Sequence, residues 1–254
     1  MNNQLPLPGR DAHWAFFLDV DGTLADIAPH PAEVTIADHA RDTLFRLVEA
    51  CEGAVALVSG RSIADIDRLF APLHLPVAGL HGLERRNAGG RVTRVAARPE
   101  AIDAARAALE AFAGAHPGVL IEDKGVSLAL HFRQAPKVET EAETVVSGVI
   151  AGAQGTLVLQ RGKMVLELRP GGSDKGAAVD DFMAEPPFAG RLPIFVGDDV
   201  TDEAGFATIN KMDGISIRVG DGTPTCAQYD GASVAAIHAW LDAVAEALGA
   251  PAAG

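Results

Sequence analysis

The stretch that decides the fold is residues 16–26, which read FFLDVDGTLAD. An apolar run ends there at two aspartates, Asp19 and Asp21, whose spacing puts both side chains on the same side of an extended strand. A surface turn would tolerate two such charges, but this pair follows Phe and Leu residues that belong in a core. We therefore predict a buried strand whose carboxyl end carries a functional site, since ligands bind at that end of the strands in open α/β sheets.

Apolar runs alternate with helix-period segments along most of the chain. The runs predict buried strands at residues 15–20, 54–58, 77–80, 193–196 and 215–219. The other segments predict helices at residues 36–49, 63–70, 176–183, 202–209 and 233–248. Strands that alternate with helices are typical of a parallel sheet covered on both faces. The sequence therefore predicts the α/β class, with a Rossmann-like parallel-sheet core.

The alternation of strands and helices changes between the third and the fourth of these strands. From about residue 99 to residue 170 the pattern predicts helix, strand, strand, helix, strand, strand. The strands of this block are expected at residues 119–122, 126–132, 156–160 and 164–169, with turns at 123–125 and 161–162. Paired strands with short turns indicate antiparallel pairing. We therefore predict an inserted α+β domain at residues 99–170, within a core formed by residues 1–98 and 171–254.

The composition limits the kinds of partner that the protein can have. Apolar residues make up 48% of the chain, which is enough for a sizeable buried core. Acidic residues outnumber basic ones by 34 to 21, and the net charge is −13. The sequence has no stripe of Lys and Arg, so we expect no nucleic-acid partner. A small anionic substrate must then be attracted locally, by a metal ion and a few well-placed cations.

The cysteines and the apolar segments indicate the compartment. Cys51 and Cys226 are far apart and in no metal-ligand spacing, which is typical of reduced thiols. The first residues, MNNQLPLPGRDAHW, predict no signal peptide. Charges at Asp242 and Glu246 interrupt the apolar stretch at residues 232–248, which favours an amphipathic helix over a membrane span. We expect a cytoplasmic monomer with no membrane partner.

A second acidic group closes the fourth strand, in the sequence IFVGDDVTDEAGF. A helix cap at Thr201 explains Asp202 and Glu203, because acids suit the first turn of a helix. It does not explain Asp198 and Asp199. Several carboxylates at one strand end suit Mg²⁺, which takes one or two protein carboxylates together with phosphate. The predicted magnesium ligands are Asp19, Asp21 and Asp198, with Asp199 and Asp202 around them.

Two further segments supply groups for a phosphate. The second strand ends at Ser59, Gly60 and Arg61, where a hydroxyl and backbone N–H groups can receive phosphate oxygens. Ser59 could equally be a simple helix cap. Lys175 stands in the first turn of a helix, where it opposes the helix dipole by about 0.3–1 kcal/mol. A charge that balances the acidic groups explains this lysine best.

These residues together predict phosphoryl transfer. Asp19 attacks a phosphate monoester in line and becomes an aspartyl phosphate, while Mg²⁺ and Lys175 offset the charge repulsion. Asp21 protonates the leaving alcohol and later activates water. The sequence has no Gly-x-x-x-x-Gly-Lys-Ser/Thr loop, so ATP is not the expected donor. We also expect that neutralising either aspartate raises the thermal stability of the metal-free protein.

Four segments, in order along the chain, resemble the motifs of the haloacid dehalogenase (HAD) superfamily. They are DVDGT, LVSGRS, DKG and GDDVTDE. From about residue 16 to residue 240 the chain also resembles the trehalose-6-phosphate phosphatase family, in AGLHGLERR, ALHFRQAP and GKMVLELRPGGSDKG. The resemblance implies that the inserted domain is a mobile cap that contacts the sugar. It implies trehalose binding by Glu122, Lys124 and Glu167, and further substrate contacts in family motifs by His81, Glu84, His131 and Arg133.

Without the resemblance, the residues themselves give weaker evidence for these substrate contacts. Glu122 and Lys124 lie at a predicted hairpin turn, where exposed charge is ordinary. Glu167 stands between two leucines and must face away from them, either towards a ligand or towards solvent. His81 follows an apolar strand and could be a satisfied core histidine.

Other functions fit the same motifs. A phosphatase of this architecture could act on another phosphosugar, such as sucrose phosphate or mannosyl-glycerate phosphate. A phosphohexomutase of the same superfamily would keep the phosphate on its product. A silent sugar-phosphate sensor would not need both Asp19 and Asp21 beside Lys175 and Asp198. The sequence therefore favours an enzyme whose partner is a small sugar phosphate.

Overall fold

A computed structural model describes residues 4–9, 12–28, 30, 33–95, 99–153, 155–162, 164–222 and 224–249. The chain divides into two units, which we call the large unit (Met1–Thr93 and Ser173–Gly254) and the inserted unit (Arg94–Gly172). The division falls at 93/94 and 172/173, whereas the sequence predicts domain borders at 98/99 and 170/171. Among the described helices, none is both long enough and apolar enough to cross a bilayer.

The strands and helices follow the predicted order. The strands are β1 (Trp14–Leu18), β2 (Val55–Val58), β3 (Val77–Gly79), β4 (Glu84–Arg86), β5 (Val92–Arg94), β6 (Leu120–Asp123), β7 (Leu128–His131), β8 (Leu157–Gly162), β9 (Val165–Pro170), β10 (Leu192–Gly197), β11 (Ile215–Arg218) and β12 (Tyr229–Asp230). The helices are α1 (Asp38–Ala50), α2 (Ile63–Phe70), α3 (Pro99–Ala115), α4 (Glu139–Gly152), α5 (Lys175–Met183), α6 (Glu203–Lys211) and α7 (Val234–Gly249).

The sheet of the large unit has the strand order β12-β11-β10-β1-β2-β3-β4-β5. The strands from β12 to β3 are parallel to their neighbours, and β4 runs antiparallel to β3. The predicted α/β class with a parallel core is therefore confirmed. β4, β5 and β12 are not predicted by the sequence, because β4 is charged, β5 is exposed and β12 has two residues.

The central strand β1 is buried on both faces. Phe17 stacks on Phe188, with ring centroids 5.5 Å apart, and lies near Phe182 of α5. Phe16, which points to the opposite face, contacts Trp240 of α7, with ring centroids 6.1 Å apart. Burying each of these side chains stabilises the fold by about 1.5–3 kcal/mol. The burial of β1 fixes the depth at which the strand ends, and hence the position of Asp19.

The inserted unit is an α+β unit with its own core. Its sheet has the order β6-β7-β9-β8, and the paired strands are antiparallel. Leu130 of β7 and Leu168 of β9 belong to the same buried cluster as Leu109 of α3 and Val146 of α4. β8 continues through Gly162, which pairs with Val165. The turn predicted at 161–162 is therefore wrong, because both residues belong to the strand.

Candidate active site

The carboxyl ends of three neighbouring strands carry the predicted polar residues. β1 pairs in parallel with β10 on one side and with β2 on the other. Asp19 follows β1, Ser59 follows β2 and Asp198 follows β10. Because parallel strands end at the same edge of a sheet, the fold brings these three residues to one place.

Lys175 joins two buried carboxylates. Its Nζ donates to Asp19 Oδ1 at 2.8 Å and to Asp202 Oδ1 at 2.5 Å. Its side chain is 2% exposed, and those of Asp19 and Asp202 are 6% and 0% exposed. Burial raises the pKa of Asp19 well above its ordinary value, although Lys175 opposes this shift. Burial also works to lower the pKa of Lys175, but the two carboxylates outweigh it and keep the ammonium protonated.

Three carboxylates form a group that could hold a metal ion. Oxygens of Asp19, Asp198 and Asp202 all lie within 4.8 Å of one another. Asp198 Oδ1 is buried and has no hydrogen-bond partner in the part of the chain that the structure describes. Burial, with the nearby charges of Asp202 and Asp199, raises the pKa of Asp198 to about 6. A buried acceptor without a donor, beside two more carboxylates, fits a hard divalent cation.

Asp202 anchors the loop that carries Asp198. Its Oδ2 accepts from the N–H groups of Asp198 at 3.0 Å and Asp199 at 2.9 Å. Asp199 is the N-cap of a 3-10 helix at Val200–Asp202, and the two aspartates form a capping box. The cap predicted at Thr201 is therefore wrong. Asp202 already accepts three hydrogen bonds, so Asp19 and Asp198 have more acceptor capacity left for a metal.

Two glycines let the backbone come close to these carboxylates. A Cβ at Gly22, where φ is +83°, would lie 2.1 Å from Asp198 Oδ2. A Cβ at Gly197 would lie 2.3 Å from Asp202 Cγ. Both distances are far below van der Waals contact, so a side chain at either position would displace a site carboxylate.

Asp21 lies outside the group of three and is bound by Arg61. Arg61 Nε and Nη2 donate to the two carboxylate oxygens of Asp21, each at 2.7 Å. The side chain of Asp21 is 37% exposed and that of Arg61 is 10% exposed. The hydrogen bond that Arg61 donates to Asp21 raises the pKa of Arg61 above its ordinary value. The sequence predicts both a metal-ligand and an acid–base role for Asp21, and the structure gives its carboxylate an arginine partner.

The segment after β2 is held by Ser59 and Ser62. Ser59 is buried, and its Oγ accepts from the Arg61 N–H at 3.2 Å. The N-cap of α2 is Ser62, whose Oγ accepts from the Asp65 N–H at 3.1 Å. The interpretation of Ser59 as a helix cap is therefore wrong, and Ser59, Gly60 and Arg61 remain candidates for phosphate binding.

His81 and Glu84 contact the same segment. A Cβ on Gly60 would lie 2.6 Å from the His81 ring, so the imidazole packs directly against that glycine. His81 itself has a φ of +55°, a left-handed conformation that costs energy for a residue with a side chain. Glu84 is buried, and its Oε1 accepts from the Ile63 N–H at 2.6 Å, at the start of α2. The substrate contacts expected of these two residues stay predictions.

One face of the inserted sheet is polar. Glu122, Ala129, Glu167 and Gln160 lie side by side across the four strands. Glu167 faces away from the buried leucines on either side of it, as the alternation predicts. The sequence predicts that Lys124 and Glu122 lie together at the hairpin. The structure shows in addition that polar side chains on different strands of this sheet contact one another.

Glu167 is almost fully buried on this face and is held at both oxygens. Its Oε1 accepts from Ser127 Oγ at 2.7 Å, and its Oε2 accepts from Lys124 Nζ at 3.1 Å. Glu122 Oε2 lies 3.0 Å from His131 Nε2, and this hydrogen bond lowers the pKa of Glu122. Of the five predicted substrate-contact residues in the inserted unit, the structure thus joins four in pairs. Arg133, the fifth, is exposed beyond the end of β7.

The sequence reasoning missed two side chains that hold site residues. Ser127 is fully buried, and nothing in its sequence neighbourhood singles it out. Arg218 donates to the main-chain oxygen of Asp198 at 2.7 Å. A charged residue at the end of strand β11 was a usable signal for Arg218, by the same rule that identified Asp19 and Asp198.

Solved structures with the same fold define the class of this protein. The C-terminal domain of a trehalose-6-phosphate phosphatase from C. albicans has a TM-score of 0.80 at 21% identity, covering 92% of each chain. A phosphatase of the Haloalkanoate (HAD) enzyme superfamily from Bacteroides thetaiotaomicron has a TM-score of 0.63 at 18% identity, covering 92% of this chain and 96% of that one. With the carboxylate group at the strand ends, the fold is that of the HAD superfamily.

Sequence comparison gives the family within that class. The family model described as trehalose-phosphatase matches residues 17–235. A trehalose-6-phosphate phosphatase from Escherichia coli (strain K12) is 42% identical over 244 residues, which cover 95% of this chain and 90% of that protein. The chain belongs to the trehalose-phosphatase family. The family resemblance inferred from the motifs is confirmed.

Proposed function

We propose that the protein hydrolyses trehalose 6-phosphate to trehalose and phosphate, the last step of trehalose biosynthesis, with Asp19 as the nucleophile. The observation that carries this proposal is the buried group of Asp19, Lys175 and Asp198 at the strand ends of a trehalose-phosphatase family member. A carboxylate held by a protonated lysine at the carboxyl end of a parallel strand is suited to in-line attack on phosphorus. Asp19 and Asp198 are the residues that would hold Mg²⁺.

The proposed first step forms a bond from the Asp19 carboxylate to phosphorus and breaks the bond from phosphorus to the sugar oxygen. Mg²⁺, when bound, supplies positive charge that offsets the repulsion between the carboxylate and the phosphate oxygens. Lys175 keeps Asp19 oriented and supplies a second positive charge. Backbone N–H groups after Ser59 receive phosphate oxygens.

Asp21 gives its proton to the leaving sugar oxygen and then takes a proton from the water that hydrolyses the aspartyl phosphate. In the structure, however, Arg61 donates to both oxygens of Asp21. Arg61 must therefore move from Asp21 to the phosphate before Asp21 can contact the leaving oxygen or the water. The predicted phosphate-binding role of Arg61 and the predicted acid–base role of Asp21 are consistent if the substrate causes this exchange.

We assign residues 1–98 and 171–254 to the catalytic core and residues 99–170 to a cap that recognises the sugar. The support is the polar face of the inserted sheet, where carboxylates and a lysine form pairs on an otherwise apolar framework. Trehalose presents hydroxyl groups and no charge, and such groups bind well to ionised carboxylates. Glu122, Lys124 and Glu167 are the proposed sugar contacts.

Phosphate release from a panel of sugar phosphates, with and without Mg²⁺, tests this function. We expect trehalose 6-phosphate to be the preferred substrate and activity to vanish in excess EDTA and return with Mg²⁺. A preference for sucrose phosphate or mannosyl-glycerate phosphate would keep the chemistry and replace the substrate. Conversion without phosphate release would indicate a mutase, and full activity after exhaustive chelation would contradict the metal-dependent mechanism.

A further inference from the structure

Arg218 links the ends of two neighbouring strands behind the carboxylate group. It is the last residue of β11, and its side chain is 12% exposed. Its Nη2 donates to the main-chain oxygen of Asp198 at 2.7 Å, and its Nη1 donates to Glu203 Oε1 at 2.9 Å. One guanidinium therefore connects β11, the loop after β10 and the first residue of α6.

The main chain of Asp198 is held from both sides by side chains. Its N–H donates to Asp202 Oδ2 at 3.0 Å, and its carbonyl oxygen accepts from Arg218. Its carboxylate Oδ1, by contrast, has no hydrogen-bond partner among the described residues. The protein thus fixes the backbone of this residue and leaves its buried Oδ1 as an acceptor for another ligand.

Glu203 in turn fixes Arg218. Its second oxygen, Oε2, accepts from the Cys226 N–H at 2.9 Å. Burial works to raise the pKa of Glu203, but the hydrogen bonds from Cys226 and the charge of Arg218 hold it below its ordinary value. A Cβ on Gly222 would lie 1.8 Å from the guanidinium, so the loop after β11 closes directly over it. Arg218 therefore has little freedom to move.

We propose that Arg218, fixed by Glu203, is a positioning residue that sets the Asp198 carboxylate for binding Mg²⁺. The proposal rests on the metal site of the proposed function. Arg218 does not touch the metal or the substrate, and it acts through the backbone of Asp198. Outer-layer residues that orient a ligand typically change metal affinity by about 10- to 100-fold when they are replaced.

The charge of Arg218 and its positioning of Asp198 have opposite effects on metal binding, which makes the proposal testable. Its positive charge lies near a cation site, so by Coulomb's law alone its removal would strengthen metal binding. Its removal would also leave the negative charge of Glu203 without its cationic partner. This uncompensated charge would strengthen metal binding further. If Arg218 acts by positioning Asp198, its removal weakens metal binding in spite of both charge effects.

The experiment measures Mn²⁺ binding to the whole, substrate-free protein by the loss of the free-ion EPR signal, in wild type, Arg218→Met and Arg218→Lys. Arg191→Met is the matched control. Arg191 is 11% exposed, donates to the Pro187 carbonyl at 2.8 Å and pairs with Glu52, so it has the same kinds of partner. It precedes β10 and therefore lies at the opposite end of that strand from Asp198.

We expect Mn²⁺ to bind Arg218→Met about 10- to 100-fold more weakly than wild type, Arg218→Lys at an intermediate level, and Arg191→Met as wild type does. The Mg²⁺ concentration for half-maximal phosphate release should be highest for Arg218→Met, intermediate for Arg218→Lys and as in wild type for Arg191→Met. At saturating Mg²⁺, kcat should be largely recovered. Equal or tighter Mn²⁺ binding by Arg218→Met would overturn the proposal. If Arg218→Met does not fold, Arg218→Lys decides by the same criterion, and a wild type that binds no Mn²⁺ would instead contradict the metal site of the proposed function.

Discussion

At the scale of single residues, Asp19 and Asp21 show how different two neighbouring carboxylates can be. Asp19 is buried beside Lys175 and shares its surroundings with two more carboxylates. Asp21 is partly exposed, and both of its oxygens accept from Arg61. Strand alternation predicts that the two side chains lie on the same side of the chain. It does not predict their different surroundings, because β1 ends at Leu18, before either aspartate.

This difference predicts different effects of neutralising the two aspartates. The raised pKa of Asp19 means that its ionised form costs stability at every pH above the unfolded value. Asp19→Asn should therefore melt at a higher temperature than wild type at pH 7 without metal, while turnover is abolished. Asp21→Asn breaks an ion pair and should not gain stability, contrary to the expectation from the sequence. Its turnover should fall about 10²- to 10⁴-fold, the usual value for acid–base help.

Thermal melts in EDTA, with assays on the same preparations, check both statements. Near-normal turnover by Asp19→Asn would rule out the phospho-aspartate route. An equal rise in melting temperature for both variants would show that Arg61 does not stabilise Asp21 in solution.

The pKa of Asp198 predicts how metal binding depends on pH. Since this pKa is raised to about 6, the carboxyl is protonated below that pH in the metal-free protein, and a metal must displace the proton. Protonation of Asp198 alone should lower Mg²⁺ affinity by up to about tenfold per pH unit below about 6, and protonation of Asp19, whose pKa is also raised, should make the fall steeper. Calorimetric Mg²⁺ titrations from pH 5 to pH 8 would show this. Affinity that stays constant down to pH 5 would mean that Asp198 is not the titrating ligand.

The sequence was sufficient for residues whose position breaks a local rule. Acids at the ends of apolar strands, and a lysine in a first helical turn, pointed to Asp19, Asp198 and Lys175. It placed Asp202 around the predicted magnesium ligands but gave it no partner, because its position also suits an ordinary helix start, although its side chain is fully buried. Only three-dimensional contacts show that Asp202 joins Lys175 to the Asp198 loop.

At the scale of elements, α5 begins with a buried charge. Asp174 caps the helix by accepting from the Ala177 N–H at 2.8 Å, and Lys175 follows in the first turn. The helix dipole disfavours a cation there, but Asp19 and Asp202 offset that cost. The start of α5 is thus stabilised by the end of β1 and by the 3-10 helix at Val200–Asp202.

Removing the lysine should therefore be strongly destabilising. Lys175→Met leaves two buried carboxylates without their cation and should lower the free energy of unfolding by about 3–5 kcal/mol. Adding Asp19→Asn to this variant should restore part of the lost free energy of unfolding. The gain should be larger than the gain that Asp19→Asn gives in the wild-type protein. Urea unfolding at pH 7 in EDTA measures all four proteins, with Lys211→Met, an exposed lysine of α6, as the control. Additive effects would mean that Lys175 and Asp19 are not coupled.

The elements that the sequence predicts are those that carry core residues. β1, β2 and β10 are fully or almost fully buried apolar runs, and their period and length identify them. β4 and β5 are strands because they extend the edge of the sheet, and pairing rather than composition defines them. A sequence pattern reports burial, so it misses strands that are fixed by hydrogen bonding alone.

At the scale of the whole molecule, the two units differ in the chemistry that they present. The large unit gathers acidic side chains and Lys175 at the end of a parallel sheet. The inserted unit presents paired carboxylates and cations across the face of an antiparallel sheet. The change of rhythm in the sequence predicted the insertion. It could not predict the row in which Ala129 lies between Glu122 and Glu167, because that row depends on strand register.

The difference between the units predicts that specificity and chemistry can be separated by mutation. In the proposed sugar site, Glu122→Ala, Lys124→Ala and Glu167→Ala would each remove a charge-assisted partner for a sugar hydroxyl, and such a bond contributes about 1.5–3 kcal/mol. Each variant should lower kcat/KM for trehalose 6-phosphate by roughly tenfold or more. Hydrolysis of p-nitrophenyl phosphate, which has no sugar, should hardly change. Glu167→Gln keeps the shape of the side chain and separates the loss of charge from the loss of packing.

The control for this comparison is Glu143→Ala. Glu143 lies on α4 and pairs with Arg161 at 3.1 Å, so the variant also loses a carboxylate–cation pair of the inserted unit, but outside the proposed sugar contacts. We expect it to retain wild-type kcat/KM for both substrates. If the three cap variants lose both activities equally, Glu122, Lys124 and Glu167 support the fold or cap closure. If they lose neither, the polar face of the inserted sheet is not the sugar site, and the preference for trehalose 6-phosphate must come from other residues.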